Sequence, residues 1–93
     1  MHVLIFRVHA VKRMILRRIS EDDVRTVLAT GEVIEDYPNA APYPARLVLA
    51  WIAERPVHVV ASDDVQSGHT FIITVYEPDE QEWEPGFRKR RQP

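Results

Sequence analysis

The sequence predicts an α+β domain in which two N-terminal helices pack on a four-stranded antiparallel sheet. Apolar residues recur with helical periodicity up to Gly31 and alternate with a period of two after it. Short links join the candidate strands, and a parallel pair would require a crossover of about a dozen residues or more. The 93 residues are 45% apolar and 28% charged, so we expect one domain over residues 1–93 with a modest core.

The first helix should run from about residue 7 or 8 to 17, and residues 3–6 before it are either a short strand or a lead-in. On a helical wheel, His9, Arg13 and Arg17 fall within about 80° of each other, and Lys12 extends their cationic side. Apolar residues such as Met14 cluster roughly opposite. This face is a candidate anion site, and the alternative is a solvated basic face on an amphipathic helix.

The second helix has clear boundary signals. Ser20 is the expected N-cap, Asp23 is its capping-box partner, and Gly31 is the expected C-terminal stop. The link between the helices is so short that they must form a corner or a hairpin.

The strand candidates are residues 32–37, 46–53, 57–62 and 70–77. In the third, His58 should face away from Val57 and Val59. In the fourth, alternation predicts that Ile73 and Val75 share one face, with Thr74 and Tyr76 on the other. In the tail, we expect the aromatic residues to dock on the domain and the last residues to fray.

The charge distribution predicts two basic ends. All fourteen acidic residues lie between Glu21 and Glu84, whereas nine of the twelve basic residues lie outside that span. The net charge of −2 hides this separation. If the fold brings the ends together, they form a positive surface suited to phosphate.

Several classes of protein are disfavoured. The longest apolar run, residues 47–53, is too short to cross a bilayer, and no signal peptide is recognisable, so we expect a cytoplasmic protein without membrane contact. The absence of cysteine excludes disulfides and fits a reducing compartment. We expect no metal or cofactor, because HExxH, His-x-His and glycine-rich phosphate motifs are absent, although Asp63 and Asp64 near a histidine leave a metal site open.

A set of short motifs, in order along nearly the whole chain, resembles the DUF4258 family of small prokaryotic proteins. They are His9-Ala10, Arg13-Met14, Arg17, Ile19-Ser20, Val27-Leu28, Gly31-Glu32-Val33-Ile34-Glu35, Pro56-Val57-His58-Val59-Val60, Thr74-Val75-Tyr76-Glu77-Pro78, Trp83 and Phe87-Arg88. The resemblance implies a RelE-like or barnase-like fold, a ribonuclease toxin, and an antitoxin partner of the zinc-finger or helix-turn-helix type. One departure is Arg18, where the family usually has glycine. This arginine must either adopt a left-handed conformation or let the helix end differently.

Metal-independent RNA cleavage requires a base, an acid and cations that hold the charge developing on phosphorus. His9 and His58 are candidates for proton transfer, since imidazole titrates near neutral pH. Arg13 and Arg17 are candidates for clamping the phosphate, and Tyr76 for orienting the ribose or phosphate. Our hypothesis places these five side chains around one groove.

Five further residues are expected to bind RNA. They are Lys12, Thr74, Arg88, Arg90 and Arg91. Each candidate also has a structural interpretation: the histidines as hydrogen-bonded residues, Thr74 as a packing residue, and the terminal arginines as solubilising groups. The alternative function is a non-catalytic module whose basic groove binds RNA or protein, and the oligomeric state stays open.

Overall fold

A computed structural model describes residues 3–92 as a five-stranded mixed sheet with both helices packed on one face. The elements are β1 Val3–Phe6, α1 Val8–Arg17, α2 Glu21–Thr30, β2 Glu32–Tyr37, β3 Ala45–Ile52, β4 Arg55–Asp64 and β5 His69–Tyr76. The strand order is β1-β5-β4-β3-β2. The α+β class and the two helices are confirmed, but the four-stranded antiparallel sheet is wrong, because β1 is a fifth strand and pairs parallel with β5.

Helix α1 begins where β1 leaves the sheet. The Arg7 backbone N–H still donates to the Ile72 carbonyl at 3.0 Å, while the Arg7 carbonyl already accepts from Val11 at 3.0 Å. Ala10 and Met14 are buried against the sheet, and α1 packs on β5, whereas α2 packs on β3 and β4. The chain therefore passes directly from strand to helix, and α1 lies beside the later half of β5.

The C-terminus of α1 explains the conformation of Arg18. Arg18 has φ 55° and ψ 48°, and the N–H groups of Arg18 and Ile19 donate to the carbonyls of Ile15 and Met14 at 3.3 and 2.9 Å. This is a Schellman motif, in which buried Ile19 supplies the accompanying apolar contact. Arg55 donates to the carbonyls of residues 17 and 18 at 2.7 and 2.9 Å. The left-handed alternative is thus the one adopted.

The second helix begins as the sequence predicts and ends for a different reason. Ser20 and Asp23 form both hydrogen bonds of the capping box, at 2.9 and 3.0 Å. Gly31 ends the helix with φ −80°, which any residue adopts. A Cβ at this position would lie 2.4 Å from the Val27 carbonyl oxygen and 2.6 Å from a methyl group of Val48. Glycine is therefore required here by close packing.

A β-bulge in β5 changes which side chains share a face. Val60 pairs with Thr74 and the next residue of β4 pairs with Ile72, so Ile73 is the extra residue. The prediction that Ile73 shares a face with Val75 is wrong, since one inserted residue reverses the alternation beyond it. Ile72 and Val75 both enter the core, and Tyr76 lies opposite His58 on the face of the sheet away from the helices.

The C-terminal segment covers part of this second face. Trp83 is 2% exposed and meets His58 edge-on, with ring centroids 4.5 Å apart. The backbones of Trp83 and Arg90 form an isolated antiparallel β-bridge, and the Arg91 Nε donates to the Glu80 carbonyl at 2.7 Å. The docking of Trp83 is confirmed, and the tail is hydrogen-bonded as far as Arg91, whose N–H donates to the Glu82 carbonyl at 2.9 Å. Pro93, the last residue of the segment expected to fray, lies outside the described residues.

Candidate functional site

His9 and Thr74 meet where α1 runs beside β5. The His9 Nε2 lies 3.1 Å from the Thr74 Oγ1. Thr74 directly follows the bulge residue Ile73 and is only partly buried, so its hydroxyl is accessible to His9. His9 is exposed, and among residues 3–92 no hydrogen-bond partner approaches its Nδ1. The imidazole is therefore oriented by the sheet while one ring nitrogen remains accessible to solvent.

A groove lies one helical turn further along α1. It has a volume of about 300 Å³ and is lined by Arg13, Arg17, Tyr76, Glu77, Asp79 and Glu82. Arg13 follows His9 by about 6 Å along the helix, and Tyr76 follows Thr74 by about 7 Å along the strand. The His9–Thr74 contact and the groove are therefore neighbours on one surface.

The two groove arginines are not used by the protein's own acidic groups. Within residues 3–92, neither Arg13 nor Arg17 forms a salt bridge, although three carboxylates line the same groove. A guanidinium presents paired N–H donors that match the oxygens of a phosphate. Both guanidinium groups are thus available to an external ligand, in a groove that also carries three carboxylates. The carboxylates were not among the predicted site residues, although their position directly after the last strand was a usable signal.

His58 occupies a different environment from the one expected. It is fully buried, its Nε2 lies 2.9 Å from the Phe87 carbonyl oxygen, and its Nδ1 lies 3.2 Å from the Tyr76 hydroxyl. Because a carbonyl only accepts, the Nε2–H donates to Phe87 and the Nδ1 accepts from Tyr76. Burial lowers the pKa of His58, which favours this neutral form. The hypothesis that His58 lines the groove is therefore corrected: it lies behind Tyr76.

The contact with His58 determines what Tyr76 can offer to a ligand. Burial raises the pKa of Tyr76 to about 12, so the phenol stays protonated at neutral pH. Its proton is directed at His58 Nδ1, which leaves the oxygen as a hydrogen-bond acceptor. An acceptor suits a ribose hydroxyl better than an anionic phosphate oxygen.

The arginines of the tail are engaged within the protein. Arg88 forms a salt bridge with Glu32 at 2.7 Å, and Arg90 forms one with Glu35 at 3.0 Å while its guanidinium lies 4.6 Å from the Trp83 ring centroid. The Arg91 guanidinium donates a hydrogen bond to the Glu80 carbonyl. Lys12 is exposed on α1, and Thr74 bonds His9. Arg88 and Arg90 therefore attach the tail to β2, and Arg91 closes a turn within the tail, uses that the sequence pattern did not indicate.

Two structural findings bear on the class of site. Neither helix within residues 3–92 is long and apolar enough to cross a membrane. In the same part of the chain, no group of three or more histidine, aspartate or glutamate side chains is arranged to hold a metal ion.

Comparison with known proteins gives a family match. The family model described as "Domain of unknown function (DUF4258)" matches residues 6–77. This range contains both helices, strands β2 to β5, and the side chains of the groove up to Glu77. No curated protein and no solved structure matches the chain.

Proposed function

The chain belongs to the DUF4258 family, and from the surface that its α1 and β5 share we propose that it is a metal-independent endoribonuclease, the toxin of a toxin–antitoxin pair. One observation carries the proposal. Arg13 and Arg17, which form no salt bridge within residues 3–92, line a groove with Tyr76, one helical turn from the His9–Thr74 contact. Cations beside an accessible imidazole are what RNA cleavage through the 2′-hydroxyl needs.

The chemistry is divided among these groups. Arg13 and Arg17 hold the scissile phosphate, and an ionised carboxylate of the groove accepts the proton of the 2′-hydroxyl. The O2′ attacks phosphorus, the P–O5′ bond breaks, and protonated His9 donates its proton to the leaving O5′. The products are a 2′,3′-cyclic phosphate and a 5′-hydroxyl. Tyr76 accepts a hydrogen bond from the ribose, and buried His58 positions Tyr76.

The second candidate is a non-catalytic protein- or RNA-binding module. Three apolar side chains of α1 support a protein partner, since Val8, Ile15 and Leu16 are 71%, 74% and 68% exposed. Clustered exposed apolar residues mark interaction sites more often than chance. In the toxin proposal, the same stripe is where a small zinc-finger or helix-turn-helix antitoxin binds. If the protein is only a module, this stripe is its main working surface and the groove does no chemistry.

RNA cleavage in EDTA tests the proposal. The purified protein should cut RNA and leave 2′,3′-cyclic phosphate ends, and His9→Gln should lower the rate at least ~100-fold. Arg13→Ala should also lower it, whereas the matched controls His69→Gln and Arg25→Ala should not. Thermal unfolding of each variant shows whether it remains folded. RNA left intact by the wild-type protein, or His9→Gln acting at the wild-type rate, would contradict the proposal.

Binding measurements distinguish the second candidate. A non-catalytic RNA-binding module should show an affinity that falls with salt, should leave RNA uncut, and should be insensitive to His9→Gln. A protein-binding module should show no affinity for RNA. Its affinity for its protein partner should be lost when Ile15 is replaced by aspartate.

A further inference from the structure

An apolar pocket of about 270 Å³ opens on the same face of the sheet as the His9–Thr74 contact. Its principal lining residues are Arg7, Tyr37, Pro42, Tyr43, Phe71 and Ile73. Tyr43 comes from the β2–β3 loop and Phe71 from β5, so the pocket is formed where that loop folds over the sheet. Tyr37, Tyr43 and Phe71 take no part in the cleavage mechanism proposed above.

The walls of the pocket are flat and partly exposed. The rings of Tyr43 and Phe71 stack on each other, with an interplanar angle of 4° and centroids 5.8 Å apart, so a further ring must stack on the outside of this pair. The Arg7 guanidinium carbon lies 5.2 Å from the centroid of Phe71. Neither ring is fully buried, and Arg7 is exposed. Aromatic faces next to a guanidinium are the components with which proteins stack the bases of single-stranded nucleic acid.

The polar groups of the pocket already have partners. The Ser62 hydroxyl lies 3.1 Å from the carbonyls of Tyr43 and Pro44, and the Tyr37 hydroxyl donates to Glu35. Asp64 beside the Tyr43 hydroxyl raises the pKa of that phenol, which therefore remains neutral. The pocket thus offers stacking surface and positive charge with few free hydrogen-bonding groups. A planar aromatic ring fits these properties better than a sugar, and base edges would be read weakly.

The pocket is continuous with the proposed catalytic groups. Arg7 precedes His9 by two residues, and Ile73 of the pocket adjoins Thr74. Along β5, Phe71 lies about 10 Å from Thr74. This is the scale of one or two nucleotide units, so a base in the pocket would belong to a nucleotide near the phosphate in the groove.

We propose that this pocket, formed by Arg7, Tyr43 and Phe71, binds a nucleobase of the RNA beside the scissile phosphate by stacking, with little preference among bases. The inference rests on the proposed function for its choice of RNA as ligand. It adds a base subsite that acts in binding rather than in proton transfer.

Oligonucleotide binding tests the inference. In the His9→Gln background, in which we expect RNA cleavage at least ~100-fold slower, the probes are a fluorescein-labelled pentauridylate and a five-unit abasic ribose-phosphate chain. We expect pentauridylate to bind ~5- to 100-fold more tightly than the abasic chain. Tyr43→Ala should remove this difference by weakening pentauridylate alone, and Tyr43→Phe should restore it. Trp51→Ala, which removes another exposed aromatic side chain, should change neither affinity.

The outcomes separate this inference from the proposed function. If wild-type protein cuts RNA but Tyr43→Ala binds both probes as the Trp51→Ala control does, the base pocket is refuted and the nuclease stands. If Tyr43 is needed for RNA binding but wild-type protein never cuts RNA, the pocket stands and the nuclease is refuted. If neither probe binds, the base pocket is refuted, and RNA cleavage by the wild-type protein still decides the nuclease.

Discussion

Replacing His58 by leucine should destabilise the fold and also change how its stability depends on pH. Leucine has an apolar side chain of similar size. It cannot form hydrogen bonds with the Phe87 carbonyl or the Tyr76 hydroxyl, which lie 2.9 and 3.2 Å from the imidazole nitrogens. The Phe87 carbonyl then loses its partner under the docked tail, whereas the Tyr76 hydroxyl can turn to water. A buried polar group without a partner costs about 1–3 kcal/mol, so we expect a loss of about 2 kcal/mol.

The pH dependence follows from the neutral state of His58. Burial lowers the pKa of His58 below 6.5, and the charge of Arg90 acts in the same direction, while Glu35 and the Phe87 carbonyl oppose it. The unfolded chain therefore binds a proton on this residue at a pH where the folded protein does not. Stability from this source is complete above about pH 6.5 and is lost as the pH falls, with a slope of at most about 1.4 kcal/mol per pH unit. The His58→Leu variant should lack this contribution.

Urea unfolding at several pH values between 5 and 7.5 measures both effects. Trp83 fluorescence is a suitable signal, because its ring lies 4.5 Å from that of His58. The pKa of Glu35 is lowered from 4.5, so its own loss of stability falls below this range. Tyr76→Phe is the matched control, which should cost about 1 kcal/mol and keep the wild-type slope. A His58→Leu protein with the wild-type slope or the wild-type stability would contradict these expectations.

Three further predictions concern the backbone and the tail. Arg18→Gly should raise the free energy of unfolding by about 1 kcal/mol, seen as a higher melting temperature, since glycine adopts the left-handed conformation without a Cβ clash; an unchanged or lower value would contradict this. Gly31→Ala should cost about 3 kcal/mol or more in urea unfolding because its Cβ meets backbone oxygen, while Gly68→Ala, with φ 75° and open space around it, should cost about 1. Glu35→Gln should accelerate tryptic cleavage after Arg90 by removing its ion pair, and equal cleavage rates would show that the pair does not hold the tail.

The predictions that succeeded rest on local sequence signals. The capping box of Ser20 and Asp23 involves neighbours in the chain, and its geometry depends on little else. The alternation in β4 correctly separated His58 from Val57 and Val59, which the structure places in the core, because no bulge interrupts those positions. The glycine-to-arginine departure at Arg18 also marked a real feature, namely the left-handed end of α1.

The predictions that failed involve partners distant in sequence. Strand β1 has four residues and pairs with a strand that begins only at His69, so short links could not reveal a parallel neighbour. The residue types around Thr74 do not indicate the bulge that precedes it or its contact with His9. The pair of Glu32 and Arg88 spans 56 positions, and a run of arginines looks the same whether it faces solvent or the protein's own acids.

The docked tail has a consequence for how the protein can be shortened or re-engineered. The family match stops at residue 77, yet Trp83 seals a layer of the sheet that includes Leu49 and His58. A fragment cut at that boundary would contain His9, Arg13 and Arg17. It would also expose an apolar face of the sheet to water and would tend to self-associate. Homology alone would thus set the boundary of an expression fragment too early.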